Sequence, residues 1–453
     1  MPPKPDVTTE APGAATPFIS VKNLRTYFEI RGSVVDRLMG RDAGTVKAVD
    51  DVSFDLAKGE VLGLVGESGS GKSTLGRSLL GLVRATGGSA TFEGQEIVGL
   101  DEPALRRLRA RMQMVFQDPH AALNPAMTIE QSVGHPLKIH KRVKGPNDLR
   151  RQVVAALERV GLSPAETYLD KYPGDLSGGQ KQRAVIARAI VLDPVLLVAD
   201  EPVSMLDMSV RSKILKLMID LKDSLGLTYL YITHDLATAK FFCDRIAILY
   251  LGRIVEIGEA RALYADPRHP YTQALLEAIP DPDPNHTLPR NLPRGEIPDA
   301  AKPPHGCAFH PRCPRAFAPC GWEIRDLMGL LEARWAGMAE ADHRAERALI
   351  GTPKIPDGPE PTSRLPAASG DGAALLALLE GIRAENPDEP FWTGVKALRA
   401  GAGQVEIDWH APVTPRLRHD GKTAAACHLL DPELWPQAAG ALSEADPSAT
   451  APA

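Results

Sequence analysis

The chain alternates short aliphatic or β-branched runs with longer stretches in which apolar residues recur every three or four positions. From Ile19 to about Ile279 this alternation predicts a mostly parallel sheet covered by helices. Phe18–Ile30 and Ala48–Leu56 have the spacing of half-buried strands, and Gly59-Glu60-Val61-Leu62-Gly63-Leu64-Val65 holds an apolar run suited to a strand buried on both faces. Between Gln117 and Leu176 the period becomes helical with several breakers, as in Leu149–Val160 closed by Gly161 and Pro164, which predicts an inserted helical subdomain. Beyond Ile279, prolines at 280, 282, 284, 289, 293, 298, 303 and 304 fix backbone angles and remove donors, predicting a boundary or strap. A compact cysteine-bearing patch over Gly306–Cys320 follows. After it come a helical segment over Glu323–Leu349, a Pro/Gly/Ser-rich linker over Thr352–Gly372 and mixed material to about Asp431. Both ends, 1–17 and 441–453, have the composition of disordered segments.

A chain of 453 residues exceeds what one hydrophobic core usually supports, so at least two units are expected. The formal net charge is −5 with both signs interspersed, which is not the footprint of a nucleic-acid binder. The most apolar stretch, Val185–Ala199, is interrupted by Arg188 and Asp193, so no bilayer span is expected. The N-terminus lacks the apolar core of a secretory signal, which points to the cytosol. There the five cysteines are not expected to form disulfides, and any cluster of them becomes a metal or redox question.

Gly66-Glu67-Ser68-Gly69-Ser70-Gly71-Lys72-Ser73 matches a phosphate-binding loop in full, after a buried strand and before a helix expected near Thr74. Its glycines let backbone N–H groups face phosphates, and the helix start adds roughly half a positive charge. Lys72 is the candidate for the outer phosphates and Ser73 for magnesium. A ligand-free glycine turn is the bland alternative, and the complete motif with both flanks argues against it. The apolar run Leu196-Leu197-Val198-Ala199 then delivers Asp200 and Glu201 at a strand end, the edge where open parallel sheets bind ligands. Asp200 is the candidate to hold magnesium and Glu201 to orient or deprotonate the attacking water.

Leu176-Ser177-Gly178-Gly179-Gln180-Lys181-Gln182-Arg183 resembles the signature of ABC-transporter ATPases, and the further elements resemble that family's in kind and order. The resemblance implies an α/β P-loop ATPase core with an antiparallel edge sheet and a helical subdomain. It implies ATP and Mg2+ as ligands, with Gln117 and Asp200 beside Ser73 at the magnesium, and Glu201, His234 and Gln117 as the catalytic group. It also implies that Ser177, Gly178, Gly179 and Gln180 act on the ATP of a partner subunit, with Asp207 in the turn Ser204-Met205-Leu206-Asp207. Met205, where the family commonly has alanine, is a departure expected to touch the subunit contact. The adenine-stacking aromatic falls on Tyr27 or Phe28, and counting from Asn23 favours Phe28. Tyr172-Pro173-Gly174-Asp175, Gln117-Asp118-Pro119 with Leu123-Asn124-Pro125, and Pro267-Arg268-His269-Pro270-Tyr271-Thr272 narrow the resemblance to the peptide and nickel importer group, with the F-type ATPase subunit favoured.

Cys307, Cys313 and Cys320 lie in one proline-rigid stretch, and Cys427-His428 follows about a hundred residues later. In the resembled group four such cysteines carry a 4Fe-4S cluster; four thiolates also suit structural zinc. If Cys427 folds elsewhere, His310 or His428 would complete a zinc site. Cys243, in an apolar pattern, is expected in the core. The expected organisation is a nucleotide-binding domain over 18–280 with its helical subdomain over 118–180, a cysteine region over 281–325 and an extension over 326–440. The function implied is that of an ATPase subunit powering import of peptides or a related solute. It would sit peripherally at the cytoplasmic face of the inner membrane with a second, identical or different, ATPase subunit, two permease subunits and, indirectly, an extracytoplasmic binding protein. The alternative is a soluble ABC-type ATPase with a metal-bearing accessory domain and no transport role.

Overall fold

The computed structural model describes residues 17–30, 44–279, 293–356 and 358–434. The expected lead-in up to residue 16, the tail from 441, and the strap prolines 280, 282, 284 and 289 lie outside the described residues. Described residues within Met1–Phe28 and Lys47–Ile246 form one compact unit, and those within Glu29–Val46 and Ala247–Ala453 another.

In the first unit, strands β1 (Ile19–Glu29), β2 (Thr45–Leu56), β4 (Gly87–Phe92) and β5 (Gln95–Glu96) form the expected antiparallel sheet, in the order β2-β1-β4-β5. The parallel sheet contains β3 (Val61–Val65), β6 (Met112–Val115), β7 (Leu196–Asp200) and β8 (Thr228–Thr233), in the order β3-β8-β7-β6. Every residue of β3, β7 and β8 is buried, which explains why their sequences run apolar instead of alternating. Each such Leu or Ile contributes about 1.5–3 kcal/mol by leaving water. Helix α1 (Lys72–Leu79) follows β3 directly. Helices α2 (Ile129–Ile139), α3 (Pro146–Arg159) and α4 (Gly178–Ile190) pack on one another. Helices α5 (Met208–Leu225) and α6 (Leu236–Phe242) follow β7 and β8. Cys243 is buried, as expected of a core residue.

Strand β9 (Arg245–Tyr250) carries the chain into the second unit, where β10 (Arg253–Glu259) pairs antiparallel with β15 (Thr423–Ala425), itself paired with β14 (Arg418–Asp420). Helix α7 (Pro270–Glu277) precedes the strap. The expected single helical segment over 323–349 is two helices, α8 (Ile324–Ala336) and α9 (Glu340–Leu349), interrupted around Gly337. The expected linker contains a strand, β11 (Thr362–Pro366), with Ser363 and Leu365 buried between more exposed neighbours. Flanking prolines hid it, and it stands at a sheet edge, where a proline is tolerated. It pairs with β13 (Gln404–Trp409), which pairs with β12 (Val395–Gly401), and helix α10 (Gly372–Glu385) packs on β12 and β13. Leu375, Leu379 and Ile382 of the helix and Leu365, Val405 and Ile407 of the sheet are buried, so this segment has a core of its own. Among the described residues no helix is long and apolar enough to cross a membrane.

Candidate nucleotide site

Register brings the motifs to one sheet edge. Val65 pairs with Thr233, Asp200 with Ile232 and Val115 with Ala199, so the loops after β3, β7, β8 and β6 leave side by side. In the phosphate loop Gly69 and Gly71 have φ of 80° and 98°, a left-handed backbone that favours glycine. Leu75 N–H bonds Gly71 O and starts α1, so the helix begins at Lys72, two residues before the expected Thr74.

The Lys72 ammonium donates to Gly66 O and Glu67 O at 2.8 Å each and to Ser70 Oγ at 3.3 Å. Burial pulls its pKa down, against the opposing pull of Glu201, Asp200 and Glu67. Ser73 Oγ donates to Asp200 Oδ1 at 2.8 Å. The other oxygen, Oδ2, is buried without a hydrogen bond, with the Arg77 guanidinium 3.8 Å away. Burial raises the Asp200 pKa, partly countered by the Ser73 bond. A buried carboxylate oxygen lacking a donor beside a serine hydroxyl is a donor set suited to a hard divalent cation.

Glu201 is the centre of the cluster. Its Oε2 accepts from Gln117 Nε2 at 3.0 Å and its Oε1 lies 3.1 Å from His234 Nδ1. Its backbone is left-handed, with φ of 46°, and its N–H bonds Ile232 O. A non-glycine residue held there stores strain of order 1–3 kcal/mol, a feature that clusters at functional sites. Nothing in the sequence signals that strain.

The glycine-rich octet opens α4. Ser177 caps α4 in a reciprocal box with Gln180. A Cβ on Gly179 would meet Val210 at 2.7 Å, so the octet lies tight against the start of α5, where Asp207 is the N-cap. Bonds from the Val210 N–H and Ser209 hold the Asp207 pKa low. Sequence reasoning missed Arg211, whose guanidinium lies 3.3 Å from Asp235, the cap of α6, tying the helix after Asp207 to the loop after His234. Phe28 is 43% exposed near the end of β1, whereas the Tyr27 hydroxyl is bonded to Asp50 at 2.5 Å.

Residues 49–204 match the ABC transporter family and residues 255–320 the oligopeptide/dipeptide transporter C-terminal region. A putative peptide import ATP-binding protein of Brucella ovis is 46% identical over 312 residues, 69% of this chain and 94% of that protein. The oligopeptide transport ATP-binding proteins AppF of Bacillus subtilis and OppF of Escherichia coli are 44% and 42% identical, over 68% and 67% of this chain and 93% and 90% of theirs. The chain belongs to the ABC transporter ATPases. Among solved structures, a dimeric bacterial ABC transporter cassette aligns with 54% of this ABC ATPase and 99% of its own chain at 28% identity, with a TM-score of 0.47.

The second unit of this ABC ATPase gathers the remaining candidates. Glu256 accepts the N–H groups of Arg268 and His269 at 2.9 Å each, and His269 Nδ1 accepts that of Tyr271 at 3.0 Å. Tyr271 and Tyr250 pack edge-on with Phe309. The Pro267–Thr272 motif therefore seats the cysteine loop. Cys307, Cys313, Cys320 and Cys427 line one small buried cavity with His269, His310 and His428. The pairing of β15 with β10 and the Ala426 N–H bond to Val255 O return Cys427 to the other three, and Gly394 packs so closely on Trp322 that a Cβ would sit 2.1 Å from the indole. Burial raises every thiol pKa, that of Cys307 to about 11 and that of Cys427 to about 12. Such thiols ionise only beside added positive charge. His310 has both ring nitrogens against oxygen, Cys307 O at 2.8 Å and Asp326 at 3.1 Å, which removes it as a zinc ligand. His428 Nδ1 lies 3.4 Å from Cys320 Sγ. Among the described residues no group of three or more His, Cys, Asp or Glu is arranged to hold a single metal ion.

Proposed function

We propose that this ATPase powers import of peptides through two permease subunits, in association with a second ATPase subunit. The relatives' names support the peptide class, and the two carrying F names favour the F-type subunit. The observation that carries the reading is Glu201, held between Gln117 and His234 beside Lys72, Ser73 and Asp200. ATP phosphates would take the place of the loop oxygens as partners of Lys72, with the N–H groups of residues 66–74 wrapped around them. Ser73, Asp200 and Gln117 would hold Mg2+, which supplies charge neutralisation at the outer phosphates. Glu201 orients the attacking water and draws its proton, His234 fixes the Glu201 carboxylate, and Phe28 stacks on adenine.

In a head-to-tail pair, Ser177, Gly178, Gly179 and Gln180 would complete the partner's site while Asp207 sits at the seam. Closure on ATP would pull on permeases through the groove near Gln117, and an extracytoplasmic binding protein would deliver cargo. That arrangement puts the chain at the cytoplasmic face of the membrane. The four buried thiols of the C-terminal region are assigned a 4Fe-4S cluster, with zinc as the alternative. Iron and zinc content with the visible spectrum of anaerobically purified protein decides between them.

The test of the catalytic assignment is Glu201→Gln. ATP affinity is expected to stay within about twofold while turnover falls about 10²–10⁴-fold. Undiminished hydrolysis overturns the assignment.

A further inference from the structure

A second cavity of the C-terminal unit, about 490 Å³, is walled by the strap after residue 293, the cysteine loop and helix α8. Its apolar floor is Trp322 and Phe391, which meet edge-on, with Leu330 beside them. Most charges on its wall are already committed. Arg294 holds Glu389 at 2.7 Å, Arg325 holds Glu323 at 2.5 Å, and Asp326 faces His310 at 3.1 Å. Two remain. Glu296 and Lys302 line the same cavity, and among the described residues neither side chain is engaged by a hydrogen bond or ion pair. One wall, α8, begins at Ile324, past the stretch matched by the transporter C-terminal family.

We infer that this cavity binds a short peptide with free termini and an apolar side chain. The apolar side chain rests on Trp322 and Phe391, the terminal ammonium meets Glu296 and the carboxylate meets Lys302. The volume falls within the usual range of small-ligand pockets, about 300–1,000 Å³. An aromatic floor with one unengaged charge of each sign fits an amphipathic zwitterion better than an anion or a purely apolar molecule. That the zwitterion is a peptide rests on the import reading above; that the cavity takes a zwitterion does not.

Gly329 supplies a clean test. It lines the cavity from within α8, and a Cβ built there meets nothing within 4 Å. Gly329→Phe therefore fills the cavity, and it replaces a poor helix former by a better one. All five tryptophans lie between Trp322 and Trp435, so intrinsic fluorescence reports on this region without interference from the nucleotide site. The full chain is titrated with alanyl-phenylalanine, with its N-acetyl and C-amide derivatives, and with phenylalanine, by calorimetry and fluorescence.

The dipeptide is expected to bind with a Kd of about 0.1–1 mM, as its size and the exposed charges allow. Gly329→Phe weakens it at least about tenfold with ATP hydrolysis unchanged. Lys302→Ala weakens the free acid about two- to fivefold and leaves the amide unaffected, the size of an exposed ion pair. No saturable binding up to about 10 mM, or binding undiminished in Gly329→Phe, overturns the inference. Either result leaves the import reading standing, because that reading is tested separately by Glu201→Gln.

Discussion

The phosphate site and the cysteine cavity are both built from polar groups in protein interior, yet they are opposites. At the phosphate site the groups are charged and incompletely matched: Lys72 rests on backbone oxygens, and Asp200 keeps one buried oxygen without a donor. In the cysteine cavity burial favours neutral thiols; His310 is engaged with backbone and carboxylate oxygen, His269 Nδ1 accepts the Tyr271 N–H, and His428 faces Cys320 Sγ. The first is poised for a ligand that arrives and leaves; the second suits a group that stays. The difference also separates what turnover depends on from what the second unit's stability depends on.

Removing the charge from the first region is the strongest way to sharpen that contrast. Lys72→Ala is expected to cut turnover by at least about 10²–10³-fold, measured by steady-state phosphate release, with the urea midpoint of tryptophan fluorescence unchanged. Overpacking the second region produces the reverse pattern. Gly394→Ala drives a methyl into Trp322 and should cost about 3 kcal/mol in fluorescence-monitored unfolding while leaving ATP affinity intact.

Acid tests the burial of the histidines. Burial lowers the His269 pKa from 6.5 to about 3, so its unfolded form takes a proton that the folded form refuses. The stability this neutral ring contributes is complete above about pH 6.5 and is lost as pH falls toward 3. Relative to His269→Asn, the native protein should lose about 2 kcal/mol between pH 7.5 and 5 in denaturant titrations. A parallel response of the two proteins would break the comparison. The smallest effect is at the insertion: Asp371 caps α10 by accepting from Ala373 and Ala374 N–H, and Asp371→Ala should cost about 1 kcal/mol.

The same contrast explains what was legible in the sequence. The phosphate loop is a contiguous octet between a buried strand and a helix, so its residues carry their own geometry. Strand β3 and the Asp200 strand announced themselves by unbroken apolar runs. The pairing of Gln117 and His234 with Glu201 came only from the order of motifs, because strand register is not a local property. The left-handed backbone of Glu201 and the Arg211–Asp235 pair left no trace in composition or period. In the second unit, Cys320 and His428 meet across 108 residues, a separation over which no local period or motif carries information, and the edge strand β11 looked like a linker. Gly394, packed against Trp322, reads in sequence as an ordinary loop glycine.

The central claim, that Glu201 hydrolyses ATP to drive peptide import, is tested most directly by uptake of a labelled short peptide into cells. Their only copy of this chain would be native or Glu201→Gln, with chain and permease levels matched. The account predicts uptake in the first and none above background in the second. Equal uptake in both would contradict it.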